Sequence, residues 1–384
     1  KKYTNMKFII HGRALSRSLQ SISSVVPSSR TMPILLNFLL EATNEDLIIT
    51  ASDLETTISV KLTPSILEQG NITKIAIPAK MFLEVVNSLS TQQITINVTE
   101  DYSVEITAGT GKYKLVGENP ESYPEATELT EPSITNISSS VLVKAIGKTI
   151  FATGTGEMRP QMTGVLCEQT PEGTTFVATD AHKLVKYTRT DCKNDEARSC
   201  ILPKTPLNIL NKLLSSHKEE IDVVMANNQT NVRFEFENYT LISRLIDGKY
   251  PNYNMAIPEN NPNKLIIDRQ MLFDSVKRVA LFANQVSNQV VFRLKDKELF
   301  ISAEDSDMST LAKERLNCNY DGEELEIGFN ADYLMEMLNN IDTELLLMEM
   351  STPDRAGIIF PYKEQEEETA ENILMLVMPV VLIK

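Results

Sequence analysis

Tryptophan is absent from these 384 residues, histidine occurs three times and cysteine four times. His11, His182 and His217 lie far apart, and no H-E-x-x-H or G-x-S-x-G pattern surrounds them, so the common metalloprotease and serine-hydrolase signatures are missing. Cys167, Cys192, Cys200 and Cys318 form no C-x-x-C pair and no metal spacing. No metal is expected, and the thiols are expected to be reduced, although Cys192 and Cys200 are near enough in sequence to be bridged. There is no G-x-x-x-x-G-K-[ST] loop and no G-x-G-x-x-G between a strand and a helix; Gly154-Thr-Gly156 is too short a match. No cofactor is expected. No apolar run approaches the ~20 residues of a membrane span and no signal-peptide pattern opens the chain, which points to a cytoplasmic protein with no membrane partner. Residues 1–5, ahead of Met6-Lys7-Phe8, read as an added segment.

What the chain does have is a long repeat. Leu47-Ile-Ile-Thr-Ala-Ser-Asp53, Phe176-Val-Ala-Thr-Asp180 and Leu299-Phe-Ile-Ser-Ala-Glu-Asp305 share one pattern: an alternating half-buried strand that ends on an aspartate. The aspartates are 127 and then 125 residues apart. That period is the size of a domain, not of a solenoid unit. Helical spacing of apolar residues recurs with it, at Arg13–Val26, Ser139–Ala152 and Asp268–Ala283, and again at Met81–Leu89, Leu207–Leu214 and Tyr333–Ile341. Pro78, Pro203 and Asn330 stand at equivalent helix entries. Ile94/Ile96/Val98, Val232/Phe234/Phe236 and Leu325/Ile327/Phe329 alternate as antiparallel strands with one buried face. The expected class is α+β: three tandem copies, each of two helices on antiparallel sheets, spanning 1–130, 131–258 and 259–384. Pro, Asn and Glu cluster at the two links.

The three aspartates invite a hydrolase reading. Their recurrence in every copy argues instead for a turn role, since a catalytic site is ordinarily the odd one among repeats, and no enzyme is expected. The net charge of −15 argues against a nucleic-acid partner until it is divided. The thirds carry −3, 0 and −12, so most of the acid lies in the last copy, including Glu364-Gln-Glu-Glu-Glu368. Charges beyond about 8–10 Å are screened at physiological salt, and local sign then governs. Four of the six helical segments run against the acidic trend, with Arg13 and Arg17, Lys144 and Lys148, Lys204 and Lys212, and Lys277 and Arg278. With no aromatic platform beside them, such residues would meet phosphates without reading sequence.

Taken together, Arg30-Thr-Met-Pro-Ile-Leu35, Ala51-Ser-Asp-Leu-Glu55, Val177-Ala-Thr-Asp-Ala-His-Lys-Leu184, Leu245-Ile-Asp-Gly-Lys-Tyr-Pro-Asn-Tyr253, Glu326-Ile-Gly-Phe-Asn330 and Val377-Met-Pro379 give a specific pattern. In these the chain resembles the bacterial sliding-clamp family, the beta subunits of DNA polymerase III, over Met6 to Leu382. The resemblance implies DNA-clamp domains and a head-to-tail homodimer closed into a ring around duplex DNA. Such a ring is a non-catalytic processivity factor for the replicative polymerase. With helices about 10 Å wide, six leave a hole of roughly 9 Å and twelve roughly 28 Å. Only the larger admits a duplex about 20 Å wide.

The resemblance also implies sites. Arg30 and Lys204 match DNA-facing basic residues, and Arg159 lies in a DNA-proximal loop whose family aromatics are replaced here by Pro160 and Gln161. Lys112, Tyr113 and Leu115 match one side of the subunit boundary and Leu281 and Phe282 the other, with Lys112 expected to face Asp305 or Asp307. A hydrophobic cleft for short linear peptides matches Met162, Thr179, Ala181, His182, Lys183, Leu184, Pro251, Asn330, Tyr333, Met378, Pro379 and Val380. The expected partners are sequence-independent double-stranded DNA, the polymerase alpha subunit, the clamp loader and repair proteins. Ala181 stands where the family usually has glycine, and Val381 where a basic residue often precedes the final leucine. The alternative is a peptide-docking scaffold of the same fold that does not encircle DNA; DNA binding that weakens steeply with salt would separate the two.

Overall fold

A computed structural model describes residues 6–29, 31–156, 158–365 and 369–382. The chain divides into two compact units, residues 1–142 with 205–245 and residues 143–204 with 246–384. Six α-helices are present among the described residues: α1 (Gly12–Ile22), α2 (Ala79–Ser88), α3 (Ser139–Thr149), α4 (Lys204–Leu214), α5 (Arg269–Ala280) and α6 (Ala331–Asn339). They fall on the six segments with helical periodicity. All three of the longer expected helices end early: α1 and α3 pass into 3₁₀ turns at Ser23–Val25 and Ile150–Ala152, and α5 stops at Ala280. The apolar spacing continues through those turns because 3₁₀ backbone keeps a nearly helical phase for one turn.

In the first unit, α1 and α2 pack against each other and on an antiparallel sheet. Gly12 makes the close approach possible: a Cβ there would lie 2.3 Å from the Leu89 carbonyl oxygen. Phe8, Leu15, Leu19, Phe38 and Phe82 are fully buried in this unit. Its eight-stranded sheet runs in the order Ser133–Ser138, Asp222–Asn227, Asn231–Phe236, Tyr239–Arg244, Thr56–Leu62, Leu47–Ser52, Asn37–Ala42, Lys74–Pro78. The join is the antiparallel pairing of Tyr239–Ser243 with Val60–Thr56, which welds a strand of the middle copy to one of the first. A five-stranded sheet ends at Gly111–Val116.

The second unit repeats the device. Lys183–Arg189 pairs with Val377–Glu371, so that one nine-stranded sheet draws on the middle and last copies. Here α5 and α6 pack together, and Phe292 meets Phe329 edge to face at 5.6 Å in the core. A five-stranded sheet ends at Thr310–Asn317. All four cysteines are free. The neighbour that strand register gives Cys200 is Cys167, not Cys192. The adjoining Cys200 thiol and then burial raise the Cys167 thiol well above its ordinary pKa, which keeps it protonated.

The recurring aspartates build turns. Asp53 Oδ1 accepts from the amides of Glu55 and Thr56 at 3.0 and 2.6 Å. Asp180 Oδ1 accepts from His182 and Lys183, both at 2.9 Å. Asp305 Oδ1 accepts from Asp307 and Met308 at 2.9 and 3.2 Å. Each carboxylate thus satisfies the amides two and three residues ahead, as an Asx turn requires. Asp53→Ala is expected to lower stability by about 1–2 kcal/mol, read as a lower denaturant midpoint of the first unfolding transition. An unchanged midpoint would remove the turn-building account.

Candidate functional site

The expected cleft residues all belong to the second unit. The turn after Gly173–Thr179 sets the geometry. Ala181 takes φ +78° there, a left-handed conformation that costs an L-residue energy and suits glycine. Its amide donates to Thr179 Oγ1 at 3.1 Å, and the Thr179 hydroxyl donates to the Lys183 carbonyl at 2.7 Å. Leu54 has φ +80° at the matching point of the first copy, whereas Ser306 of the third is not left-handed.

The turn presents His182 and Lys183 to α6. The His182 ring stacks on Tyr333 with centroids 5.9 Å apart and planes 19° from parallel. Lys183 is only 6% exposed, and its ammonium lies 4.7 Å above the Tyr333 ring. It also donates to Glu336 and sits 3.4 Å from Asp180 Oδ2. A buried cation needs such partners. Asn330 caps α6, its Oδ1 accepting from Asp332 and Tyr333 while its Nδ2 donates to the Ser287 carbonyl. On the opposite wall the Met378 amide donates to the His182 carbonyl at 2.8 Å, and Pro379 and Val380 pair with Phe329 and Gly328.

Leu184 and Met162 are buried and do not reach the surface. Leu184 joins a core of Leu166, Val177, Tyr250, Tyr253 and Leu376. Burial raises the pKa of Tyr250 above the ordinary phenol range, and burial followed by the Glu168 carboxylate does the same for Tyr253, so both hydroxyls stay protonated donors. Pro251 is exposed beside them, and Met378 and Val381 are exposed as well. Glu336 is absent from the sequence-derived set. Its only signal was the three-residue spacing from Tyr333 on a helix, which puts both on one face.

The basic residues divide. Lys144, Arg159, Lys204, Lys212 and Lys277 are exposed, Lys144 with an ion pair to Glu371 at 3.1 Å. Lys148 departs from the expectation of a free cation. It is 9% exposed, and its ammonium donates to the Asn340 carbonyl at 2.7 Å and to Asp342 at 2.6 Å, which leaves it poorly placed for a phosphate. Arg278 grips Glu314 through two bonds of 2.8 and 2.7 Å, and that contact holds the Glu314 pKa below the usual carboxylate range. Arg30 lies outside the described residues.

Two sheet edges carry exposed apolar groups. In the first unit the edge strand Gly111–Val116 shows Tyr113 and Val116, with Leu115 half-buried and Lys112 paired to Glu105 at 2.9 Å. In the second, Leu281 (80% exposed), Phe282 (41%), Met308 and Leu311 stand on and beside the edge strand Thr310–Asn317. Asp305 is not available to Lys112 in the way expected: it is 6% exposed, with one carboxylate oxygen used by its turn. Asp307 remains exposed.

Comparison with known proteins finds matches over nearly the whole chain. Models for the N-terminal, central and C-terminal domains of the DNA polymerase III beta subunit match residues 6–127, 136–252 and 254–379. A beta sliding clamp of Staphylococcus epidermidis is 28% identical over 381 residues, covering 98% of this chain and 99% of the relative. The solved DnaN sliding clamp of Pseudomonas aeruginosa bound to griselimycin superposes with a TM-score of 0.91 at 27% identity, over 98% of this chain and all of the other. The DNA polymerase sliding clamp of Bacillus subtilis gives 0.90 at 26%, over 99% and 100%. No helix among the described residues is long and apolar enough to cross a membrane.

Proposed function

The chain belongs to the DNA polymerase III beta subunit family, and from that membership we infer that it acts as a DNA sliding clamp in replication. In this reading it consists of clamp domains at 1–130, 131–258 and 259–384. Two copies close head to tail into a cytoplasmic ring that encircles duplex DNA and tethers polymerase without catalysing a reaction. The observation that carries the ring is the pair of exposed apolar edge strands, Gly111–Val116 and Thr310–Asn317. An unpaired strand edge with exposed apolar side chains is a template for pairing with another chain. Joining unlike edges gives a heterologous contact, which must close on itself to avoid growing into a fibre.

Lys144, Arg159, Lys204, Lys212 and Lys277 supply the phosphate contacts in this reading, with Arg30 added from the family pattern; Lys148 and Arg278, held by Asp342 and Glu314, contribute little. The site around His182, Tyr333 and Met378 receives short peptides of the polymerase alpha subunit, the clamp loader and repair proteins. Its apolar floor with few convergent polar groups suits a short segment anchored by leucine or phenylalanine. The direct test is the solution mass by light scattering. Twice the chain mass of 43.1 kDa is expected, and a single chain mass at micromolar protein would overturn the dimeric ring.

A further inference from the structure

Three groups on α6 share one face: Asp332, Tyr333 and Glu336, at spacings of three and four residues from Glu336. Lys183 reaches this face from the turn. Asp180 has given one carboxylate oxygen to backbone amides, and its other oxygen is 3.4 Å from the ammonium. Glu336 is therefore the nearer counter-charge, and its bond to Lys183 ties that strand to the turn of helix that carries Tyr333. The cation over the ring face adds to the tie. Among the charges at the platform, Asp180, Glu336 and Asp332 outnumber Lys183. Lys186, the next cation along the strand, lies instead over Tyr253 at 5.7 Å.

We propose that Glu336 is a positioning and specificity residue of this cleft. Through Lys183 it fixes the Tyr333 ring beneath His182, and with Asp180 and Asp332 it leaves the platform net negative. Peptides with a neutral or basic residue over the His182–Tyr333 stack are admitted, and those with an acidic residue there are disfavoured. The inference rests on the reading of this site as a peptide cleft. Two carboxylates in excess of the one ammonium, at about 7 Å and screened by solvent and salt, correspond to a preference of about three- to tenfold.

The test uses the full-length protein and two fluorescent synthetic peptides that end in Leu-Phe and differ at one preceding residue, lysine in one and glutamate in the other. Fluorescence polarisation is expected to show the lysine peptide binding about three- to tenfold more tightly. Glu336→Gln should cut that preference to about two- to threefold and weaken both peptides, with the melting temperature recorded alongside. Glu298→Gln, an exposed carboxylate paired with Arg315, should leave the preference intact. Raising KCl from 50 to 500 mM should narrow the wild-type preference without any substitution, because screening shortens to a few Å. Equal binding of both peptides by the wild type, or a preference unchanged in Glu336→Gln, overturns the role of Glu336 and leaves the cleft standing. Failure of the wild type to bind either peptide overturns both.

Discussion

Loaded onto a nicked circular duplex, the protein is expected to remain with the DNA through gel filtration at 200 mM salt, and to fall at least tenfold in the DNA fraction once the circle is cut. Contact affinity alone predicts a different result. The chain carries a net charge of −15, Lys148 is committed to Asn340 and Asp342, and Arg278 is held by Glu314. The remaining exposed cations give a handful of phosphate contacts per chain, and a protein with about 6–10 such contacts loses roughly 10³–10⁵ in affinity between 50 and 200 mM salt. Retention under those conditions must come from linkage, and linkage ends when the duplex has an end to slide from. Equal retention on circular and linear DNA would leave the encirclement reading without support.

Leu281→Asp combined with Phe282→Asp is expected to convert the proposed dimer to single chains of 43.1 kDa in sedimentation and to abolish retention on the circle. Both side chains are substantially exposed in the single chain, so the fold should tolerate the change within about 0.5 kcal/mol per site. In a closed interface the same positions would bury about 1.5–3 kcal/mol of apolar transfer energy each. Placing carboxylates there adds a desolvation penalty of several kcal/mol. The summed loss corresponds to more than about a thousandfold in dimer dissociation. Val381→Asp, equally exposed but on neither of these edge strands, serves as the control for the sedimentation measurement. A variant that keeps the dimeric mass would move the interface elsewhere.

Local order was legible in the sequence and long-range order was not. The aspartate period located the three turns because an Asx turn is built from residues two and three apart. The six helices were legible because their apolar spacing is local. Lys144 and Lys148 illustrate the limit. Four residues apart on α3, they share a face, yet one is exposed and the other is captured by Asn340 and Asp342, nearly two hundred residues later. Composition reports a charge but not the partner that neutralises it. Glu336 escaped notice for the same reason, since its contact with Lys183 spans 153 residues. Cys200 is nearer Cys192 in sequence, whereas the sheet sets it beside Cys167. The residues proposed for the cleft came from the family pattern, and the structure separates the buried ones, Leu184 and Met162, from those at the surface.

The welded sheet has a consequence for how the protein is made. Thr56–Leu62 finds its outer neighbour in Tyr239–Arg244, and Lys61 donates its amide to the carbonyl of Asn238, 177 residues downstream. At about 5–20 residues per second, a ribosome needs roughly 10–35 s to supply that neighbour. Through that interval the nascent first copy displays a bare strand flank inside what will become the middle of a sheet. Lys183–Arg189 likewise waits for Glu371–Val377. Translation speed and chaperone cover during those two waits are therefore expected to affect yield.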